Sequence, residues 1–280
     1  MNQYRVSAIQ MVSSNDLQSN LAEAERLVAA AALDGAQLVV LPETFAMFST
    51  RAQKPLGMQE ASAGAVIRPF ISALAKRLGI WIVAGTIPVA VEDSEQVLSS
   101  CFVFDDQGKE QGCYNKIHLF DVDVADSQGS YRESDTFLAG NDVVVVDTPF
   151  GRLGLAICYD IRFPEFFRAI FAQGVDLIAI PAAFTLLTGK AHWLPLLQAR
   201  AIENQCYIIG ANQGGDHTPS RSTSGDSVII DSWGKVLASK EKGAGYASAE
   251  VDLDELAKHR KSMPIQQHQR FTVSPKKAGK

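Results

Sequence analysis

Twice along this chain a helix gives way to a glycine, then to an apolar strand carrying or followed by a proline. In the first pass, Leu21, Ala24, Val28 and Ala31 or Ala32 recur at helical spacing across Leu17–Leu33, with Glu23, Glu25 and Arg26 turned to water. Ser13, Ser14, Asn15 and Asp16 supply turn and N-cap residues before that helix, and Gly35 ends it. Residues 38–41 are continuously apolar, and Pro42-Glu43-Thr44 closes the run. In the second pass, 166–173 reads as a helix ended by Gly174, and 176–182 is again an apolar strand, with Pro181 near its end. Strands of this kind are buried on both faces, so helices must cover the sheet. The echo predicts an α/β chain of two helix–sheet halves whose uncovered sheet faces pack on each other. A single doubly wound sheet is the alternative; hairpins and late paired strands fit it less well.

Those other elements fill the rest of the chain. Residues 5–11 read as a first strand, 64–78 as a second helix closed by Gly79, and 80–87 as a buried strand with a glycine inside it. Residues 99–104 and 109–115 form a hairpin around Asp105-Asp106-Gln107-Gly108, a turn composition. Residues 116–137 are polar, aromatic and irregular; a loop of that length is usually functional or disordered, and Leu119, Phe120, Tyr131 and Phe137 argue for order. Strands follow at 143–147 and 155–157, a helix at 189–204 and a strand at 207–212. Paired strands at 226–231 and 235–238, a last strand at 247–251 and a helix at 253–260 complete the reading. No linker separates the halves. The expectation is one domain over residues 1–280, with a core from about 4 to 271 and a basic tail carrying Lys276, Lys277 and Lys280.

Composition removes several classes of function. A net charge of −5, with no lysine or arginine stripe, offers nucleic acid no electrostatic footprint. The apolar runs are too short to span a bilayer. The first twelve residues lack the basic and apolar regions of a signal peptide. Cys101, Cys113, Cys158 and Cys206 show no CxxC spacing, which argues against a zinc ribbon or dithiol pair and fits a reducing compartment. The five histidines form no HExxH pattern, and neither GxSxG, a P-loop nor GxGxxG is present. The expectation is therefore a cytoplasmic protein with no metal, no cofactor, no nucleic-acid partner and no membrane.

Three polar residues stand just after apolar strands or at the start of loops: Glu43, Lys116 and Cys158. Each has a bland reading, as a cap, a solvated lysine and a core thiol. Together they supply what thiol-based acyl transfer needs: a nucleophile, a carboxylate to carry its proton, and a cation for the oxyanion. Spacing alone does not bring them together.

Three motifs occur in order: Leu41-Pro42-Glu43-Thr44-Phe45, Tyr114-Asn115-Lys116-Ile117-His118-Leu119, and Ala156-Ile157-Cys158-Tyr159-Asp160-Ile161-Arg162-Phe163-Pro164-Glu165. On these the chain resembles the nitrilase superfamily of carbon–nitrogen hydrolases, from Val6 to about Phe271. The resemblance implies a four-layer αββα sandwich, usually dimerised or in a higher homo-oligomer. It implies a Glu–Lys–Cys triad at Glu43, Lys116 and Cys158, with a second glutamate at Glu133. It further implies hydrolysis of a small amide through a cysteine thioester, with release of ammonia, the oxyanion being held by Lys116 and the Tyr159 N–H.

Finer matching points to the branch acting on deaminated glutathione, with ω-amidases on 2-oxo acid amides close by and nitrilases further off. Segments 183–193 and 200–207 and Met263-Pro264-Ile265 carry that likeness. It puts Arg162 on a substrate carboxylate, where the alternative is an ion pair with Asp160 or Glu165, and it puts Phe184 and Thr188 in the pocket lining, where the alternatives are core packing and helix capping. The chain departs from the branch in having Asp226 where a histidine is usual, near the pocket or the dimer contact. His118 and His192 read as locally hydrogen-bonded residues. A silent scaffold on the same fold is the reading outside enzymes.

Overall fold

Alternation along Gln3–Gln10 decides the layer order. Val6 and Ala8 join Leu38, Val40, Val83, Cys101 and Val103 in one core, and Ile9 joins Val39, Leu41, Ile82, Phe102 and Phe104 in another. Neighbouring residues on each strand thus feed opposite faces, as the two-residue period demands. Burying each such Val, Leu or Ile side chain contributes about 1.5–3 kcal/mol. The computed structural model describes residues 2–126 and 128–274, and the basic tail at Lys276, Lys277 and Lys280 lies outside them.

The first sheet runs Gly245–Asp252, Gln3–Gln10, Leu38–Val40, Trp81–Val83, Val97–Phe104, Ile87–Ala90, with Glu110–Asn115 and Phe137–Leu138 also paired to Val97–Phe104. The second runs Val145–Thr148, Gly151–Leu155, Leu177–Ala182, Tyr207–Asn212, Ser227–Ile230, Val236–Lys240. Each holds three parallel strands, in register through Ala8, Val40 and Val83 in one and through Leu155 and Ala179, then Ala182 and Asn212, in the other. Leu17–Leu33 and Ile67–Leu78 cover the outer face of the first sheet, where Leu21, Ala24, Leu27, Ile71 and Leu74 meet its outward residues. Pro164–Ala172 and Leu194–Asn204 bring Phe167, Ile170, Leu197 and Ala201 to the second. The inner faces of the two sheets share the remaining core, giving an αββα sandwich.

Several elements differ from the expectation. The strand expected at 80–87 is two strands, broken where Gly85 turns to φ +50. A Cβ there would lie 2.1 Å from the Pro42 carbonyl oxygen, so only glycine lets this bend press against the Glu43 turn. A helix at Thr50–Glu60 has no apolar period and contains Pro55, which hides it from pattern reading. The irregular segment 116–137 folds a small ladder, Asp121–Asp123 with Ser130–Arg132, and a 3-10 turn at Glu133–Asp135. The helix expected at 189–204 starts three residues earlier, at Leu186–Thr188, and passes through a wider turn at Gly189–Trp193 before Leu194–Asn204. The last strand joins the first sheet, antiparallel to Gln3–Gln10 over its whole length.

Candidate active site

Glu43, Lys116 and Cys158 all follow the carboxyl ends of strands. Glu43 comes three residues after Leu38–Val40, in a turn held by the Thr44 N–H on Thr86 Oγ1 at 2.8 Å. Lys116 directly follows Glu110–Asn115, its own N–H donating to the Ser99 carbonyl and its carbonyl accepting from the Gly140 N–H. Cys158 follows Gly151–Leu155 after two more buried residues, with the Ala156 N–H donating to the Ala179 carbonyl. Two of these turns use left-handed backbone at non-glycine residues, Thr44 at φ 54 and Cys158 at φ 45. Such conformations cost about 1–2 kcal/mol each and persist only where surroundings enforce them.

The three meet at one buried point. The Lys116 side chain is 2% exposed, and its Nζ donates to Glu43 Oε1 and to both carboxylate oxygens of Glu133, each at 2.8 Å. Glu133 also accepts from the Phe120 N–H at 2.6 Å. Burial alone would lower the Lys116 pKa, but Glu133 and Glu43 outweigh it and raise it well above the usual lysine value. Burial raises the Glu133 pKa above the ordinary glutamate value, with Lys116 pulling against it. The Cys158 thiol is pushed well above its ordinary pKa, first by burial and then by Glu43, against the pull of Lys116 and the Ala183 N–H. The resting sulfur is therefore a neutral thiol beside a carboxylate, which suits transfer of its proton during attack rather than before it.

Behind the thiol lies a second buried cluster that sequence reading missed. Asp160 accepts from Tyr114 Oη at 2.7 Å, the Ile157 N–H at 2.8 Å and the His118 N–H at 3.1 Å, and lies 2.7 Å from His118 Nδ1. It ties the Cys158 turn to the segment that carries Lys116. The signal was present, since Tyr114, His118 and Asp160 all stand inside the quoted motifs, but nothing in their spacing pairs them. Gln213 is another such residue: its Nε2 donates to the Glu43 carbonyl at 3.0 Å and to Ser13 Oγ at 2.9 Å.

A cavity of about 920 Å³ opens over the triad. Glu43, Lys116, Glu133, Cys158, Tyr159, Phe184 and Thr188 line it. Phe184 also packs on Trp193, ring centroids 4.8 Å apart, and Thr188 Oγ1 lies 2.9 Å from Thr185 Oγ1. The Tyr159 N–H has no carbonyl partner among the described residues, as expected at the start of a helical turn. Arg162 does not line the cavity. Its guanidinium carbon sits 5.3 Å from the Phe184 ring centroid and 5.9 Å from that of Tyr159, with Nη1 3.2 Å from His192 Nδ1. Neither Asp160 nor Glu165 forms an ion pair with it. Asp226 is likewise outside the lining; its backbone carbonyl accepts from Trp193 Nε1 at 2.8 Å, and burial raises its carboxyl pKa. Among the described residues, no three His, Cys, Asp or Glu side chains are grouped to hold a metal ion. No helix among them is long and apolar enough to cross a membrane.

Known proteins share this chain over nearly its full length. The deaminated glutathione amidase of Yersinia enterocolitica is 39% identical over 275 residues, covering 98% of this chain and 96% of that protein. The protein of that name from Synechocystis sp. is 42% identical over 275 residues, covering 97% and 100%. The crystal structure of the C. elegans NitFhit protein superposes with a TM-score of 0.89 at 34% identity, over 99% of this chain and 69% of that one. The family profile described as carbon-nitrogen hydrolase matches residues 5–261. A profile match of that extent, on a sandwich whose strand ends converge on a buried thiol, leaves no other assignment: this chain belongs to the carbon–nitrogen hydrolase family and is an enzyme of that type.

Proposed function

We propose that the protein is an amidase that cleaves a small carboxylate-bearing amide through a thioester on Cys158, and that its substrate is deaminated glutathione. The observation that carries this reading is the single buried ammonium of Lys116, shared by Glu43 and Glu133 under the cavity that holds Cys158. The sulfur attacks the amide carbonyl carbon while Glu43 takes the thiol proton. Lys116 and the Tyr159 N–H receive the developing oxyanion, and Glu133 holds Lys116 in place. Glu43 then gives its proton to the amide nitrogen, the C–N bond breaks, and the acyl group stays on sulfur. Water attacks the thioester, Glu43 takes its proton, and that proton returns to the departing thiolate. A primary amide releases ammonia; deaminated glutathione, whose nitrogen belongs to a peptide bond, releases an amine.

Phe184 and Thr188 would flank the acyl half, and Arg162, stacked on the Phe184 ring, would grip its carboxylate after a change of rotamer. The relatives' names favour deaminated glutathione over the primary amide 2-oxoglutaramate. The proposal includes a single domain over the whole chain, a homodimer or larger homo-oligomer, and a cytoplasmic setting. Exposed Ile202, Trp233 and Met263 on the second sheet's helix side support self-association, and four free cysteines support a reducing compartment.

Release of the 2-oxo acid tests the reading, because deaminated glutathione and 2-oxoglutaramate yield the same acyl product. Wild type should turn over deaminated glutathione with the higher kcat/KM, and Cys158→Ala should lose on the order of 10⁴-fold or more. Near-wild-type turnover by Cys158→Ala would sink the mechanism, and preference for 2-oxoglutaramate would shift the assignment to ω-amidase.

A further inference from the structure

The floor of the cavity and its mouth carry opposite balances of charge. On the floor, Glu43 and Glu133 are both satisfied by Lys116. At the mouth, Arg51, Arg132 and Arg221 line the same cavity. Arg132 is committed to Asp123 at 2.9 Å and to the Val122 and Tyr131 carbonyls. Arg51 is exposed and has no hydrogen bond or ion pair among the described residues. Arg221 is half-buried between aromatic rings, its guanidinium carbon 4.7 Å from the Tyr131 centroid and 5.4 Å from that of Phe48.

Among the described residues Arg221 meets only a neutral hydrogen-bond partner, Gln128 Oε1, 3.1 Å from Nη1. Its Nε is buried with no acceptor among the described residues. The acid that acts on it electrostatically, Asp126, already accepts from Tyr131 Oη at 2.7 Å and from the Gln128 and Gly129 N–H groups. A guanidinium fixed by two rings, with donors unspent, is prepared for a planar anion. The cavity volume suits a ligand well beyond a five-carbon primary amide.

We propose that Arg221, with Arg51, forms a second anion subsite that takes a carboxylate on the amine half of the substrate, the half that departs when the thioester forms. The proposal rests on the amidase reading above. An acyl half seated along Phe184 and Thr188 leaves the amine half to the wall built by Phe48, Tyr131 and Arg221. The chemistry required of the ligand is an amide whose leaving amine is itself an amino acid or short peptide with a free carboxylate.

Two substrates sharing the 2-oxo acid acyl half make the test: one whose leaving cysteinylglycine ends in a carboxylate, and the same molecule ending in a carboxamide. The readout is the ratio of their kcat/KM values, in which general damage to the site cancels. Wild type should favour the carboxylate by about tenfold or more, the worth of a charge-assisted hydrogen bond. Arg221→Gln should bring the ratio close to one, Arg221→Lys should keep part of it, and Arg51→Gln should reduce it less. A wild-type ratio near one would overturn the subsite, as would a ratio that Arg221→Gln leaves unchanged while both rates fall, since Arg221 would then be only a wedge between Phe48 and Tyr131. Hydrolysis of 2-oxoglutaramate but of neither peptidyl amide would also overturn the subsite while leaving the triad reading intact. Hydrolysis of none of the three would overturn both.

Discussion

Two buried carboxylate clusters flank Cys158, and they satisfy their charge by different means. In one, Glu43 and Glu133 share the Lys116 ammonium, so two anions lean on one cation. In the other, Asp160 has no lysine or arginine partner among the described residues; donors from Tyr114, Ile157 and the His118 backbone surround it. The first arrangement is electrostatically poised. Its net negative charge favours keeping the thiol proton nearby, and it relaxes when that proton moves and an oxyanion forms against Lys116. The second has little to gain from moving a proton. It fixes the turn that holds Cys158 in left-handed backbone. One cluster is built for a change of charge and the other for holding still.

The largest effect should follow from breaking the first cluster. Lys116→Met leaves two buried carboxylates facing each other with no cation. Breaking a buried pair in this way costs about 3–5 kcal/mol, and losing the oxyanion donor should lower kcat by at least about 10²–10³-fold. The loss of stability should depend on pH. Glu133, already held above the ordinary glutamate value by burial, rises further without Lys116. A carboxyl raised in the folded state stabilises below its unfolded pKa and loses that contribution as pH rises through the folded one. Urea unfolding should therefore find the variant weaker at pH 8 than at pH 5. Equal losses at both would show that the two glutamates do not repel as described.

Breaking the second cluster should do less. In Asp160→Asn, one terminus becomes an NH₂ donor. Whichever way the amide turns, it faces a backbone N–H, of Ile157 or of His118, and cannot accept from it. An unsatisfied buried donor costs about 1–3 kcal/mol. Because Asp160 does not itself line the cavity, the expected result is a fall in kcat of about 10–100-fold from a displaced Cys158. KM and the pH profile should stay close to wild type. A shifted pH profile would mean that Asp160 takes part in the proton transfer and is not a positioning residue.

Legibility in the sequence follows the same division. The helix–glycine–strand echo predicted both halves of the sandwich, because burial on two faces writes itself as continuous apolar runs. Thr50–Glu60 was illegible because its buried residues include Gln53, Gly57 and Glu60, which satisfy local needs; Glu60, for instance, accepts from the Val66 and Ile67 N–H groups. The placement of Gly245–Asp252 beside Gln3–Gln10 was illegible too, since pairing across the whole chain leaves no local mark. At the site, Glu43, Lys116 and Cys158 stand out as polar residues just after apolar strands or at the start of a loop. Their convergence is implied by the family likeness, and the fold brings the three side chains to one buried point. Asp160 reads in sequence as a possible partner for Arg162, and Gln213 as any loop residue, because nothing local marks a polar residue whose neutral partners lie far along the chain.

A half-buried polar group extends the comparison and should give the smallest effect. His217 lines the same cavity, stacked on Phe48 with centroids 3.7 Å apart, and carries no charge at all. Its Nδ1 lies 2.7 Å from the Ser13 carbonyl oxygen, so that nitrogen holds the proton, and Nε2 lies 2.7 Å from Thr223 Oγ1, whose hydroxyl can donate. Burial lowers its pKa to about 4, and the nearby Arg221 adds to the effect. A base depressed in the folded state contributes stability above its unfolded pKa of about 6.5 and loses it as pH falls toward 4. At about 1.4 kcal/mol per pH unit, discounted for partial exposure, this amounts to about 2–3 kcal/mol between pH 7 and pH 4. Every acid-labile carboxylate contributes to the same decline, so the measurement is a difference: urea midpoints of wild type and His217→Gln across that range. The variant should begin less stable at pH 7 and lose less on acidification, bringing the two curves together near pH 4. Parallel curves would mean that protonated His217 is accommodated where it sits, and the cavity wall would then tolerate a charge that partial burial and the neighbouring guanidinium disfavour.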